Sequence, residues 1–124
     1  VAFKGCDIHA LYINSSFEST VVATRCEFAN STSGAVVKGS STSAKFKNCI
    51  FHDNSRYGIY GSDEATIHLH GEATAIHANG QDGIIAQASS KVIIHLPSHH
   101  NTSYNNGQED RHTFSGGTIT NVEN

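Results

Sequence analysis

Short runs in which apolar and polar residues alternate recur along the chain, as in Ala65-Thr66-Ile67-His68-Leu69 and Lys91-Val92-Ile93-Ile94-His95-Leu96. A period of two sends successive side chains to opposite faces and predicts strands. Polar turns rich in Ser, Thr, Ala and Gly separate the runs, and no unit has an apolar stretch of helical length and period. The strands sit inside a longer frame. Asn-x-x-x-[Gly or Asp] occurs at Asn30 to Gly34, Asn54 to Gly58, Asn79 to Gly83 and Asn106 to Asp110, and the asparagines return at sequence intervals of 24, 25 and 27. Ahead of these stand Phe28-Ala29, Phe51-His52, Ile76-His77 and Ser103-Tyr104, and Ile8-His9 heads the same column. A β-sandwich would show hairpin-spaced strands without such a column. A chain winding as a coil, each turn stacked on the last, produces one.

The expected architecture is all-β, a solenoid of about five coils with about 24–27 residues each. Residues 1–110 supply the repeats, and residues 111–124, which leave the period, are expected to form a closing or capping strand. The inward positions are Phe3, Cys6, Ile8, Leu11, Cys26, Phe28, Val36, Phe46, Cys49, Phe51, Ile59, Ile67, Leu69, Ile76, Ile84, Val92, Ile94 and Leu96. Asn54-Ser55-Arg56-Tyr57-Gly58-Ile59 and Asn79-Gly80-Gln81-Asp82-Gly83-Ile84 make the frame specific enough to name. The chain resembles a right-handed parallel β-helix of the pectate-lyase-like style, in which Asn-x-x-x-Gly-Ile recurs once per coil. That resemblance implies fold and says little of activity, because sugar lyases, epimerases, phage fibres and binding scaffolds share it.

Composition agrees with the pattern. Ile and Val together number 18 against three Leu, a β-branched set suited to strands. Eight Lys and Arg against eleven Asp and Glu leave a net charge of −3 without a basic stripe, so nucleic acid is not expected as a partner. No run approaches the roughly 18 apolar residues of a spanning helix, so no membrane span is expected. The chain opens at Val1, lacks Met and shows no leader, which reads as a piece of something longer. Three sequons, at Asn14, Asn30 and Asn101, fit an expected extracellular or surface location.

Several columns carry candidate chemistry. Asn30, Asn54, Asn79 and Asn106 are expected to form a structural ladder at a coil corner, each bonding the next coil and local backbone. Gly34, Gly58 and Gly83 are expected to give backbone freedom where strands begin. Cys6, Cys26 and Cys49 read as an inward column of thiols; a disulfide between adjacent coils is geometrically allowed, but three cysteines cannot all pair.

Nine histidines stand out in a chain of this size. His52 and His77, with Tyr104 on the next rung, share an outward column and are candidate ligand-binding residues. Two imidazolium ions about 5 Å apart repel, so the folded pKa values of His52 and His77 are expected below the ordinary 6.5. His68 and His70 share an outward face with Glu72, and aligning Ile94-His95-Leu96 with Ile67-His68-Leu69 puts His95 one coil from His68. Those three imidazoles are a zinc-type ligand set, the one cofactor the sequence suggests. The plainer alternative is that outward positions must be polar and this chain uses His there. His99 and His100 follow in a loop.

For function, the aspartates form no Asp-Asp or Asp-x-Asp set, and general acid and base need to converge on one atom. Asp53 beside His52 is the nearest approach, and adjacent strand residues point to opposite faces. The reading is a non-catalytic β-helix module, structural or binding, for a glycan or another protein. The alternative is a fragment of a polysaccharide-processing enzyme of lyase, hydrolase or epimerase class. Unpaired rungs at solenoid ends also predict end-to-end self-association.

Overall fold

The computed structural model describes residues 2–5, 7–8, 10–14, 17–95 and 103–122, and for residues 2–4, 7 and 8 the backbone alone. Every described element is a strand, and among the described residues no helix is long and apolar enough to cross a membrane. The strands stack into three parallel sheets. The first has six rungs: Ala2–Lys4, Ser19–Thr24, Thr42–Lys47, Thr66–His70, Lys91–His95 and Thr118–Val122. The second has five: Asp7–Ile8, Glu27–Ala29, Ile50–His52, Ala75–His77 and Ser103–Tyr104. The third has five: Leu11–Asn14, Ser33–Lys38, Tyr57–Ser62, Ile84–Ala86 and Arg111–Thr113. Each coil contributes one strand to each sheet in turn, which is a β-solenoid.

Coil length is not uniform. In the first sheet Ala2 pairs Val22, Thr20 pairs Ser43, Ser43 pairs Thr66, Thr66 pairs Lys91 and Lys91 pairs Thr118, so the register offset runs 20, 23, 23, 25 and 27. The early coils are therefore shorter than the repeat in the sequence led one to expect, and only the last two fall within the expected range. From Arg111 onward the chain adds the last rung of the third sheet and the last rung of the first, both parallel to their neighbours.

The core runs up the middle of the solenoid. Phe28 and Phe51, on adjacent rungs, stack at 4.6 Å and 7°, and Phe46 meets both edge-on at 5.5 and 5.0 Å. Edge-to-face and offset arrangements let the ring quadrupoles attract. Ile59, Ile67, Leu69, Ile76, Ile84, Val92 and Ile94 join it, all fully buried, as do Cys26 and Cys49, and Leu11 packs against its margin. Val36 does not belong: Ala35 and Val37 are buried, and Val36 between them faces outward, half-buried. Apolar residues at 35, 36 and 37 left the alternation ambiguous, and pairing of Ala35 with Ile59 settled it. The side chains of Phe3, Cys6, Ile8 and Leu96 lie outside the described residues.

Polar columns close the corner after the second sheet. Asn54 and Asn79 are each 2% exposed. The Asn54 side-chain amide donates to Asn79 Oδ1 at 2.9 Å and to Phe28 O at 3.3 Å; Asn79 donates likewise to Asn106 Oδ1 at 2.9 Å and to Phe51 O at 3.2 Å. Backbone N–H groups of Asn54 and Asn79 donate to the same oxygens of the next coil. These bonds satisfy corner groups that burial would otherwise strand. Asp110 ends the column, accepting from the Asn106 side chain at 3.0 Å.

Asn30 stands one place earlier. Its φ of 61° matches Asp53, Ala78 and Asn105, at 54°, 55° and 53°, so it holds the left-handed corner position, which Asn tolerates. Ser31 occupies the place of Asn54 on that rung, and its N–H donates to Asn54 Oδ1 at 3.2 Å. The coil holding Asn30 is one residue shorter between this corner and the third sheet, which is why the spacing in sequence misled.

The glycines of the frame have a different reason from the one expected. A Cβ on Gly58 would lie 2.5 Å from Ile76 Cγ2, 2.7 Å from Gly83 O and 2.9 Å from Asn79 Nδ2, and one on Gly83 would lie 2.5 Å from Asn106 Nδ2. Neither residue has a positive φ. Ile76, Asn79 and the Gly83 carbonyl fill the space a side chain would need at Gly58, and Ser103, Asn106 and the Asp110 carbonyl fill it at Gly83.

Candidate outer-face sites

Inward residues form the core, so any chemistry lies on the outer columns, where one side chain per coil stands above its register partner. On the second sheet Ala29, His52, His77 and Tyr104 are register partners. The rings of His52 and His77 stack at 5.3 Å and 8°, and those of His77 and Tyr104 at 5.2 Å and 8°. The expected column of His52, His77 and Tyr104 is thus brought together.

Two carboxylates join it that the sequence did not place. Asp53 Oδ2 lies 2.6 Å from His52 Nδ1, and Glu27 Oε1 lies 2.9 Å from His52 Nε2. Strand alternation would have sent Asp53 to the opposite face from His52, but alternation stops where the strand stops. Asp53 is the first corner residue and its left-handed φ of 54° swings it back beside the imidazole. Glu27 reaches across from the rung below, where it pairs Ile50. Burial disfavours the charged ring, but hydrogen bonds and charge from Glu27 and Asp53 outweigh it, so His52 titrates above the ordinary 6.5. The expected depression by repulsion fails at His52, because two carboxylates are nearer to it than a second cation.

Beside this column the corner makes a polar groove lined by Asn30, Thr32, Asp53, Asn54, Ser55 and Gly80.

On the first sheet the outward residues include His68, His70 and His95. The register differs from that expected. His68 pairs Lys45 and Ile93, not His95; Leu69 pairs Ile94, so His70 and His95 are the neighbours on adjacent rungs. Their rings stack at 4.0 Å and 7°. His68 approaches His95 diagonally, with His68 Nδ1 2.8 Å from His95 Nε2. A register slip of two residues keeps every side chain on its face, so the three histidines still converge. One ligand atom from each lies within 4.8 Å of the others. Glu72 is exposed and is not part of that group. His99 and His100 lie outside the described residues.

The surroundings of this trio disfavour charge. Burial, then His95 and Lys45, hold His68 below 6.5. Burial, then His95, Lys45, His68 and Lys47, push His70 down to about 4. Nε2 of His70 is buried without a hydrogen-bond partner.

Cys26 and Cys49 are buried, unbridged thiols on adjacent rungs. Burial pushes Cys49 up to about 11, and its Sγ donates to Ala23 O at 3.3 Å. Held in the thiol form, Cys49 is not suited to act as a nucleophile.

A further pair escaped the sequence reading: His112 Nδ1 lies 3.6 Å from Asp82 Oδ2, and Asp82, 4% exposed, also accepts from the Glu109 N–H at 2.9 Å. Asp82 sits one coil before Glu109 and His112, so only the register could have shown the contact.

The family model described as "Right handed beta helix region" matches residues 1–106. No curated protein matches the chain, and no solved structure does. The match spans most of the sequence, and the chain belongs to the right-handed β-helix family.

Proposed function

We propose that this member of the right-handed β-helix family is a non-catalytic scaffold whose outer face binds an extended glycan chain. The observation that carries the reading is the in-line column of His52, His77 and Tyr104, with rings 5.3 and 5.2 Å apart and nearly parallel. Both faces of His77 are covered by its neighbours, so it offers an edge to solvent, with a ring donor and acceptor. Tyr104 adds a phenolic hydroxyl one rung further. Polar edges repeating with the coil suit a polymer whose own hydroxyls repeat. The adjoining groove adds the amide of Asn30, the hydroxyls of Thr32 and Ser55, and the carboxylate of Asp53.

A second reading is favoured by one specific contact. Glu27, His52 and Asp53 bring two carboxylates to one imidazole, a composition that can move a proton if a substrate lies in the groove. That reading makes the chain part of a polysaccharide-processing enzyme. The two are separated by incubating the protein with a panel of neutral and acidic polysaccharides, measuring binding by calorimetry and cleavage by new chain ends. The scaffold reading expects binding without cleavage, weakened at least about tenfold, or ~1.4 kcal/mol, in a His77→Ala/Tyr104→Ala variant. Cleavage that His52→Gln abolishes would establish the enzyme reading instead. Failure to bind any of the panel would remove the glycan as partner.

A further inference from the structure

The first sheet carries a cluster that the glycan reading does not use. His68, His70 and His95 stand on its outer face, a different sheet from the His52 column. Their ring nitrogens converge within 4.8 Å. The backbone beneath them is held in register by the pairing of Leu69 with Ile94, with both side chains fully buried in the core. The three imidazoles are therefore presented by a rigid two-coil platform, while their side-chain torsions remain adjustable at a half-buried surface.

Two observations mark these nitrogens as ligand atoms. His70 Nε2 is buried and makes no hydrogen bond, although a neutral imidazole nitrogen is either a donor or an acceptor. His68 Nδ1 and His95 Nε2, 2.8 Å apart, face one another and can share one proton only. A cation placed among the three would satisfy the first nitrogen and replace that proton.

We propose that His68, His70 and His95 bind a single divalent d-block ion of the zinc class, with its remaining coordination position open to solvent or to an exogenous ligand. Neutral imidazole is the commonest ligand for such ions, and three imidazoles with one open position is a coordination zinc accepts. Zinc–nitrogen bonds of about 2.0–2.1 Å require the nitrogens to draw closer than they now stand. Rotation about the side-chain torsions supplies that, with no change in register. Lys45 and Lys47, the register partners of His68 and His70 on the rung below, oppose a cation and limit its affinity. The ion would tie the fourth rung of the sheet to the fifth.

The test titrates metal-free protein with zinc chloride at pH 7.5 by calorimetry and follows the melting temperature in parallel. One ion per chain and a raised melting temperature are expected. His70→Gln should weaken binding at least about tenfold, and His68→Gln/His95→Gln should abolish it. A His52→Gln/His77→Gln control should bind as the wild type does, which excludes general affinity of surface histidines. Cobalt(II) in place of zinc should give the intense visible bands of a four-coordinate site, lost in His70→Gln. Unchanged circular dichroism checks that each variant is folded; if the double variant is not, the single His70→Gln decides. No heat and no melting shift in the wild type, or equal binding in His70→Gln, overturns the proposal.

Discussion

Two histidine groups on the same solenoid differ in the charge their surroundings favour. His52 sits on the second sheet between Glu27 and Asp53, and those carboxylates raise it above 6.5 despite partial burial. His70 sits on the first sheet with His68 and His95 beside it and Lys45 and Lys47 on the rung below; burial leads and these cations add, holding it near 4. Both residues are outward, both are half-buried, and both stack on a histidine one coil away. Burial lowers both rings and is the largest influence on each, so the two groups part through the sign of the charges around them. Carboxylates of Glu27 and Asp53 overturn the effect of burial at His52, and the neighbours of His70 add to it. The surroundings of His52 favour its charged form, and those of His68 and His70 favour the neutral form, the one a metal ion requires.

The largest expected effect breaks the platform that both groups share. Ile76 is fully buried between Phe51 and Ser103 in the second sheet and touches the space of Gly58. Ile76→Asp places an unpaired carboxyl there at a cost of several kcal/mol, against a whole stability of about 5–15 kcal/mol. Loss of the cooperative melt and of strand circular dichroism is expected, and a folded variant would show that the inward column is misplaced. Gly58→Ala should follow closely, since its new methyl meets the Asn79 amide and the Gly83 carbonyl.

The next effect is the pH dependence of the neutral group. The folded pKa of His70 is near 4 and the unfolded value about 6.5, so between them the unfolded chain binds more protons. Stability contributed by this group is complete above about 6.5 and lost as pH falls toward 4. Urea unfolding in metal-free buffer should show that decline, and His70→Gln should flatten it. A slope unchanged by His70→Gln would place the titration elsewhere.

The carboxylate-flanked group should act with the opposite sign and less strongly. His52 has its folded pKa raised, so its contribution is full below about 6.5 and lost as pH rises through the folded value. Its partners are exposed, so the pair with Glu27 belongs to the ~0.2–1 kcal/mol class. Glu27→Gln should lower the His52 midpoint in an NMR titration and leave that of His70 unmoved. The smallest effect sharpens the contrast from the other side: Lys45→Gln should raise the His68 and His70 midpoints and spare His52. A shift at His52 would mean the two groups are coupled through the core.

Much of the fold was legible because solenoids repeat their physics. Alternation at Thr66–His70 and Lys91–His95 gave the inward and outward faces without any knowledge of neighbours, and the column of Phe28, Phe51 and Ile76 revealed the coil. Val36 was misread where three consecutive apolar residues erased the alternation. Asp53 was misread because the rule of opposite faces was carried one residue past the end of its strand, into a left-handed corner. Glu27 was invisible as a partner of His52, since a contact made one coil away depends on how much chain each intervening turn consumes.

What the sequence by itself determined is the period-two pattern that assigns His52, His68, His70, His77 and His95 to the outside, and the coil repeat that stacks them. Only the tertiary structure decided which of them meet. Coil length changes along the first sheet, from its shortest at the first pair of rungs to its longest at the last, and a slip of two residues between strands leaves every side chain on its proper face. The hydrophobic pattern therefore cannot distinguish His68 from His70 as the rung partner of His95. Packing of Leu69 over Ile94 and of Ile67 over Val92 makes that choice, and with it sets which ring nitrogens come together.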